Sequence, residues 1–182
     1  MTRERIYLFD TTLRDGQQTP GIDFSVEDKI AIASMLDEFG LDYVEGGYPG
    51  ANPTDTAFFS EKRTTQARFV AFGMTKRAGI SASNDPGLAS LLQAKSDAIC
   101  FVAKSWDYHV KVALGCTNEE NLECIAESVK AAVEAGKRFE RARVFDPSLE
   151  ILIHQVVERV LVEDVAVVPL QRTGGHHLPL RA

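Results

Sequence analysis

An α/β chain built on a parallel sheet is the fold class this sequence predicts, and three observations carry it. Short apolar runs alternate with helical periodicity about four times before residue 137. The apolar runs hardly alternate with polar residues, as befits strands buried on both faces. Capping signals frame the helical segments between them.

The elements follow in order. Ile6 to Phe9 is an apolar run that ends in a polar loop, Asp10 to Pro20. Ser25 is placed as an N-cap with Asp28 three residues on, and a helix is predicted over Val26 to Phe39. Its apolar face is Val26, Ile30, Ala33, Met35, Leu36 and Phe39, and Gly40 closes it. Leu41 to Glu45 reads as the second strand, followed by the loop Gly46 to Thr54 and a weaker helix over Asp55 to Thr65. Phe69 to Phe72 and Ala98 to Val102 are the third and fourth strands. Between them Pro86 opens a helix that Leu88 to Ala94 carries. A short helix is expected over Trp106 to Leu114. The T-x-x-E capping box of Thr117 and Glu120 then starts a longer one, Glu119 to Ala135, closed by Gly136.

After Lys137 the character changes. Arg138, Glu140, Arg141 and Arg143 crowd into six residues. Pro147 to Leu161 can be written as a helix and Val165 to Val168 as a strand. The last dozen residues, with Gly-Gly and His-His, lack periodicity and are expected to be disordered. The expected division is therefore 1–137 as the patterned unit and 138–182 as an atypical tail.

Bulk properties exclude several function classes. The chain has 182 residues, 45% hydrophobic and 25% charged, with a net charge of -6. That composition predicts a soluble globular protein with enough chain for a core. An acidic balance leaves no electrostatic footprint for nucleic acid and no polybasic patch for a membrane. Cys100, Cys116 and Cys124 form no CxxC pair, so reduced structural thiols are expected. The sequence shows neither a signal-peptide core nor a membrane-length apolar run, and a cytoplasmic location is expected.

Chemistry concentrates in loops that follow strand ends, where parallel α/β folds bind their ligands. The first reads Asp10-Thr11-Thr12-Leu13-Arg14-Asp15-Gly16-Gln17-Gln18. Asp15 could supply a hard oxygen ligand to a divalent metal, and Arg14 could hold a carboxylate or polarise a carbonyl. A capped, salt-bridged loop accounts for the same residues. The second loop begins at Glu45, whose charge at the end of an apolar strand needs a partner or a metal. Arg14 is the natural partner if the first two strands are neighbours. A Gly/Pro turn with an incidental acid is the plainer alternative. His109 follows the fourth strand, where a structural histidine is the simpler reading. Phe72, Met74 and Phe101 could line a pocket, or serve the core.

The run D-x-T-L-R-D-G-x-Q at Asp10 to Gln18 resembles the signature of the citramalate, 2-isopropylmalate and homocitrate synthases, which share a core with the HMG-CoA lyases. Glu45 completes the Asp–Arg–Glu set that names this superfamily of TIM-barrel metalloenzymes. The loop E-G-G-Y-P-G-x-N-P-x-D, Glu45 to Asp55, is most similar to the citramalate branch. The resemblance runs from about Arg5 to Lys137. It implies a partial TIM (β/α)8 barrel of about four βα units, the N-terminal half of a pyruvate carboxyltransferase-type domain, followed by the atypical tail. It also implies an acyltransferase that condenses acetyl-CoA with a 2-oxo acid, here pyruvate giving citramalate on the route to isoleucine. On this resemblance Asp15 binds a divalent metal (Mg2+, Mn2+ or Zn2+), Arg14 stabilises the developing alkoxide, Glu45 organises the site and Gln18 lies near the substrate. Small-molecule substrates and a homo-oligomer are the expected partners. A 2-isopropylmalate synthase of leucine biosynthesis and a non-catalytic half-barrel binding module are the alternatives.

The chain also departs from the family pattern. A full barrel takes eight βα units and about 250 residues. The family's late-strand His-x-His metal ligands have no match. His176 and His177 are adjacent and would point to opposite faces of a strand, and His154 lies in a helical segment. The fifth strand of the family should begin after Lys137, where Arg138-Phe139-Glu140-Arg141-Ala142-Arg143 stands instead. A shifted reading frame, an unpaired edge on the fourth strand and an inactive fragment are the corresponding expectations.

Overall fold

The computed structural model describes residues 6–137 and 167–169. Five strands form one sheet in the order β1-β2-β3-β4-β5, and every neighbouring pair is parallel. They are β1 (Phe9–Asp10), β2 (Tyr43–Gly47), β3 (Arg68–Met74), β4 (Ala98–Ala103) and β5 (Val167–Pro169). Helices α1 (Val26–Glu38), α2 (Pro53–Phe58) and α3 (Pro86–Gln93) connect the first four strands. After β4 come α4 (Asp107–His109), a π-helical turn at Val110–Leu114, and α5 (Asn118–Glu134). Strand order follows chain order with no reversal, as in a barrel wall rather than a doubly wound sheet.

The capping signals operate as the sequence predicts. Ser25 and Asp28 exchange capping-box bonds at the start of α1, and Thr117 and Glu120 do so at the start of α5. Strands β2 and β4 are buried at every position. One face of the sheet carries Val44, Phe69, Ala71, Ile99 and Phe101, packed under the helices. The other groups Tyr43, Val70, Ala98 and Cys100, with Phe72 against them. Phe101 therefore belongs to the helix-side core and not to a pocket.

Two expectations are corrected. The buried stripe of α1 is Lys29, Ala33 and Asp37, whereas Ile30, Met35 and Phe39 of the predicted apolar face are exposed. Two ionisable residues can turn inward because each meets a full set of partners. The outer edge of β4 is not free either. Phe101, Val102 and Ala103 pair with Val167, Val168 and Pro169, so a strand from beyond Lys137 joins the sheet. The predicted helix at 147–161, the disorder of the last dozen residues, the run 138–143, His154, His176 and His177 lie outside the described residues. At the opposite side β1 forms an edge, and Ile6, Tyr7, Leu8 and Phe9 are exposed along it.

Asp37 shows how a buried acid holds the layers in register. Its carboxylate accepts from Thr65 N and Thr65 Oγ1, both at 2.7 Å, from Gln66 N at 2.9 Å and from Ala67 N at 2.6 Å. It thereby ties the last turn of α1 to the entry of β3. Burial alone would raise its pKa, but these four bonds outweigh that and hold it below the usual carboxylate value. A depressed folded-state pKa stabilises the protein above the unfolded value, and the contribution is lost as pH falls through the folded value. Asp37→Ala is expected to remove about 3 kcal/mol in urea unfolding at pH 7, since it strands four donors. The variant should also lose less stability than the parent as pH falls below about 5, because the parent alone protonates Asp37 on unfolding.

Candidate active site

The end of β2 and the loop after β1 meet above the sheet. Strand β1 pairs with β2 through Phe9↔Tyr43 and Asp10↔Val44, which brings the first loop beside Glu45. The loop is wound tightly, with Arg14 N, Asp15 N and Gly16 N all donating to the Thr11 carbonyl. The Asp10 carboxylate fixes its start by accepting from Thr12 N at 2.9 Å and Thr12 Oγ1 at 3.0 Å. Leu13 drops into the core and is fully buried, which turns its neighbour Arg14 toward the strand tips.

Arg14 then joins both acids. Its Nε donates to Glu45 Oε2 at 2.6 Å, and Nη1 donates to Asp15 Oδ1 at 2.9 Å. The guanidinium lies over the Phe72 ring, 4.1 Å from its centroid, so β3 supplies a third wall. Glu45 is 1% exposed and Asp15 59%. The difference assigns them different work: Glu45 is an internal counter-ion, whereas Asp15 is open to a ligand. Burial pushes the Glu45 carboxyl above its ordinary value, and the hydrogen bond and charge of Arg14 pull it back in part. Cys100, on the adjoining face of β4, adds a thiol hydrogen bond to Glu45. Burial and that neighbouring carboxylate push the Cys100 thiol strongly up, so it serves as a neutral donor.

The two glycines after Glu45 are required by packing. The β2–β3 register slips between Glu45 and Gly47, a bulge that re-aims the chain at the strand end. A Cβ on Gly46 would meet the Phe69 ring at 2.5 Å and the Phe58 ring at 2.8 Å. Gly47 sits at φ 142°, and a Cβ there would meet the Asp55 carboxylate at 2.6 Å. Asp55 Oδ2 accepts from Tyr48 N at 2.8 Å, and the Asn52 cap accepts from Asp55 N at 2.7 Å, so the loop is fixed onto α2.

Arg14 thus bridges Asp15 and Glu45. Gln18 ends the short 3-10 turn Gly16–Gln18 and is exposed; its backbone N–H donates to the Asp15 carbonyl at 3.0 Å, which closes the turn. His109 packs edge-on against Trp106, with centroids 4.5 Å apart, in keeping with a structural role. Met74 lines a cavity of about 470 Å³ at the carboxyl ends of β2 and β3, with Tyr48, Lys76, Arg77, Asn121 and Cys124. Sequence reasoning missed Lys29, Asp55 and Cys100 as parts of the site's support. No sequence signal marked Lys29, because its inward stripe differs from the apolar face that periodicity predicts. No helix among the described residues is long and apolar enough to cross a membrane.

Comparison with known proteins adds independent findings. The HMGL-like family model matches residues 5–177, which takes the match past Lys137. An (R)-citramalate synthase of Aquifex aeolicus is 46% identical over 146 residues, 79% of this chain and 27% of that protein. One from Geobacter sulfurreducens is 48% identical over 128 residues, 69% of this chain and 24% of that protein. A 2-isopropylmalate synthase of Sulfurisphaera tokodaii is 36% identical over 136 residues, 73% of this chain and 33% of that protein. The chain spans about a quarter of the length of these citramalate synthases. The hydroxymethylglutaryl-CoA lyase of Pseudomonas aeruginosa shares the fold, with a TM-score of 0.67 at 17% identity over 90% of this chain and 57% of that one.

Removing the cation tests the electrostatic account. Arg14→Met is expected to raise the Glu45 carboxyl further, because desolvation then acts unopposed. Infrared difference spectra across a pH series, with Glu45→Gln identifying the band, should show Glu45 staying protonated to higher pH than in the parent.

Proposed function

The chain belongs to the HMGL-like family, and from that premise we propose that it carries part of the active site for condensing acetyl-CoA with a 2-oxo acid. Pyruvate is the favoured oxo acid, giving citramalate. The observation that supports this most directly is the Arg14 guanidinium held between a buried and an exposed carboxylate at the strand tips. Greater identity to citramalate synthases than to a 2-isopropylmalate synthase favours pyruvate over a branched oxo acid.

The proposed reaction begins when the acetyl methyl group gives up a proton. The resulting carbon attacks the keto carbon of the oxo acid, and negative charge collects on the former carbonyl oxygen. Water then cleaves the thioester and releases the thiol of CoA. Arg14 spends Nε and Nη1 on the two acids, which leaves its Nη2 end for the oxygen that gains charge. A donor already held in place stabilises that charge without reorganising. Glu45 is tied to Arg14 and balances its charge, so its role is to keep the guanidinium aimed. Neither residue suits the methyl proton, because guanidinium cannot accept one and Glu45 is committed.

A divalent cation is part of the proposal. Asp15 is exposed and uses Oδ1 on Arg14, which leaves Oδ2 as a hard oxygen ligand. Among the described residues no group of three or more His, Cys, Asp or Glu converges. Asp15 fits as one ligand of a divalent cation, and a hard carboxylate oxygen suits Mg2+ or Mn2+ better than Zn2+. The trio sets two carboxyl groups against one guanidinium, a balance that favours a cation beside the exposed Asp15. Bound there, the metal would polarise the oxo-acid carbonyl.

Calorimetric titration with pyruvate in the presence of Mn2+ tests the reading. Saturable, metal-dependent binding is expected, with 2-oxoisovalerate and 2-oxoglutarate weaker. Arg14→Gln should weaken pyruvate at least tenfold, and metal-independent binding or an indifferent variant would overturn the proposal. Thiol release from acetyl-CoA by the 182-residue chain alone should be slight, because neither Arg14 nor Glu45 is suited to take the methyl proton. The exposed run Ile6–Phe9 along the β1 edge makes a homo-oligomer the expected solution state, and size-exclusion chromatography reads it.

A further inference from the structure

Lys29 lies on the first turn of α1 and is completely buried. A buried ammonium is costly unless its three N–H donors find acceptors. Nζ donates to the Leu13 carbonyl at 3.0 Å and to the Gly46 carbonyl at 3.0 Å, and it forms an ion pair with Asp55. The two carbonyls have telling addresses. Leu13 immediately precedes Arg14, and Gly46 immediately follows Glu45. The β1–β2 ladder ends at Asp10↔Val44, so it does not reach either position. Beyond the ladder, Lys29 bridges the first loop and the tip of β2.

The clamp is itself held rigidly. Asp55 Oδ1 takes Lys29 while Oδ2 accepts from Tyr48 N at 2.8 Å. The bare Cα of Gly47 lets that carboxylate come close, since a Cβ would stand 2.6 Å from it. The ammonium also lies 5.6 Å from the centroid of the Phe58 ring, on α2. Four pieces of chain (the first loop, α1, the β2 tip and α2) therefore converge on one cation.

We propose that Lys29 is a positioning residue. It fixes the separation between the Arg14 and Glu45 backbones, so that guanidinium and carboxylate meet at 2.6 Å before any substrate arrives. The functional importance of that separation rests on the reading of Arg14 given above. The positioning itself can be measured without substrate. A misplacement of about 1 Å in a reacting group can cost about 100-fold in rate, so a fixed spacer at this point matters.

The test is proton NMR of the Arg14 Nε–Hε group in the full chain, with its signal identified by its loss in Arg14→Lys. In the parent it should be shifted downfield and slow to exchange. Lys29→Met should return it toward the free-arginine position and speed its exchange at least about tenfold, a lost protection factor equivalent to about 1.4 kcal/mol. Leu91→Ala, which hollows the core under α3, serves as the control: it should lower the melting temperature and leave the Arg14 signal in place. A folded Lys29→Met chain with the parent's Arg14 signal would overturn the proposal, as would an equal change in Leu91→Ala. If Lys29→Met does not fold, Asp55→Asn decides: a smaller acceleration supports the clamp, and the parent's exchange rate refutes it. Failure of the parent to bind pyruvate with Mn2+ would sink the functional reading and leave this measurement intact.

Discussion

A carboxylate at the tip of an apolar strand has to be compensated, and Glu45 is where this structure meets that constraint. Its side chain is 1% exposed and sits on the face shared with Tyr43, Val70 and Cys100. Without a counter-ion it would take a proton or force the strand outward. Arg14 supplies the charge, Cys100 a weak donor, and Phe72 a ring against which the guanidinium lies. The electrostatic demand of one buried acid thus draws β1, β3 and β4 into a common site around the end of β2.

The same solution recurs in several connections between strands and helices. Asp37 gathers the turn before β3, Asp85 accepts from Arg77 N and Leu88 N, and Asp97 accepts from Phe69 N. Asp42 accepts from Leu8 N beside the entry to β2. In each case a short acid receives backbone donors that lie outside the strand ladder. Buried backbone amides must be paired, and a carboxylate with two oxygens can collect several at once. The anchors at Asp37, Asp42 and Asp97 fix the strand entries, at the end of the sheet opposite the charge cluster, and so hold β2 and β3 in register beneath it.

The first loop was legible in the sequence because its motif is long and its residue types are chemically unusual for a turn. The Arg14–Glu45 contact could be anticipated once the first two strands were taken as neighbours. The face of α1 was misread for a physical reason. Apolar periodicity assumes that the buried side is the greasy one, but this helix buries Lys29 and Asp37 and exposes Met35 and Phe39. A charge is assigned to the surface by default, and only its partners in three dimensions reveal the exception. A strand at Val165 to Val168 was legible, but its pairing with β4 through Val167–Pro169 was not, because a local apolar run does not say which sheet edge it joins.

The sequence by itself determined the parallel α/β class and the capped helix starts, and it singled out Arg14, Asp15 and Glu45 as candidate site residues. These are local properties, set by composition, spacing and turn chemistry within a few residues. Only the tertiary structure decided that Glu45 is an internal counter-ion while Asp15 faces outward, and that Lys29 spans the carbonyls beside Arg14 and Glu45. Those facts depend on distances between segments far apart in the chain, from the first loop at Arg14 through Glu45 to Cys100, and on which side of the protein water can reach. Burial and long-range contact are not written in any one stretch of chain.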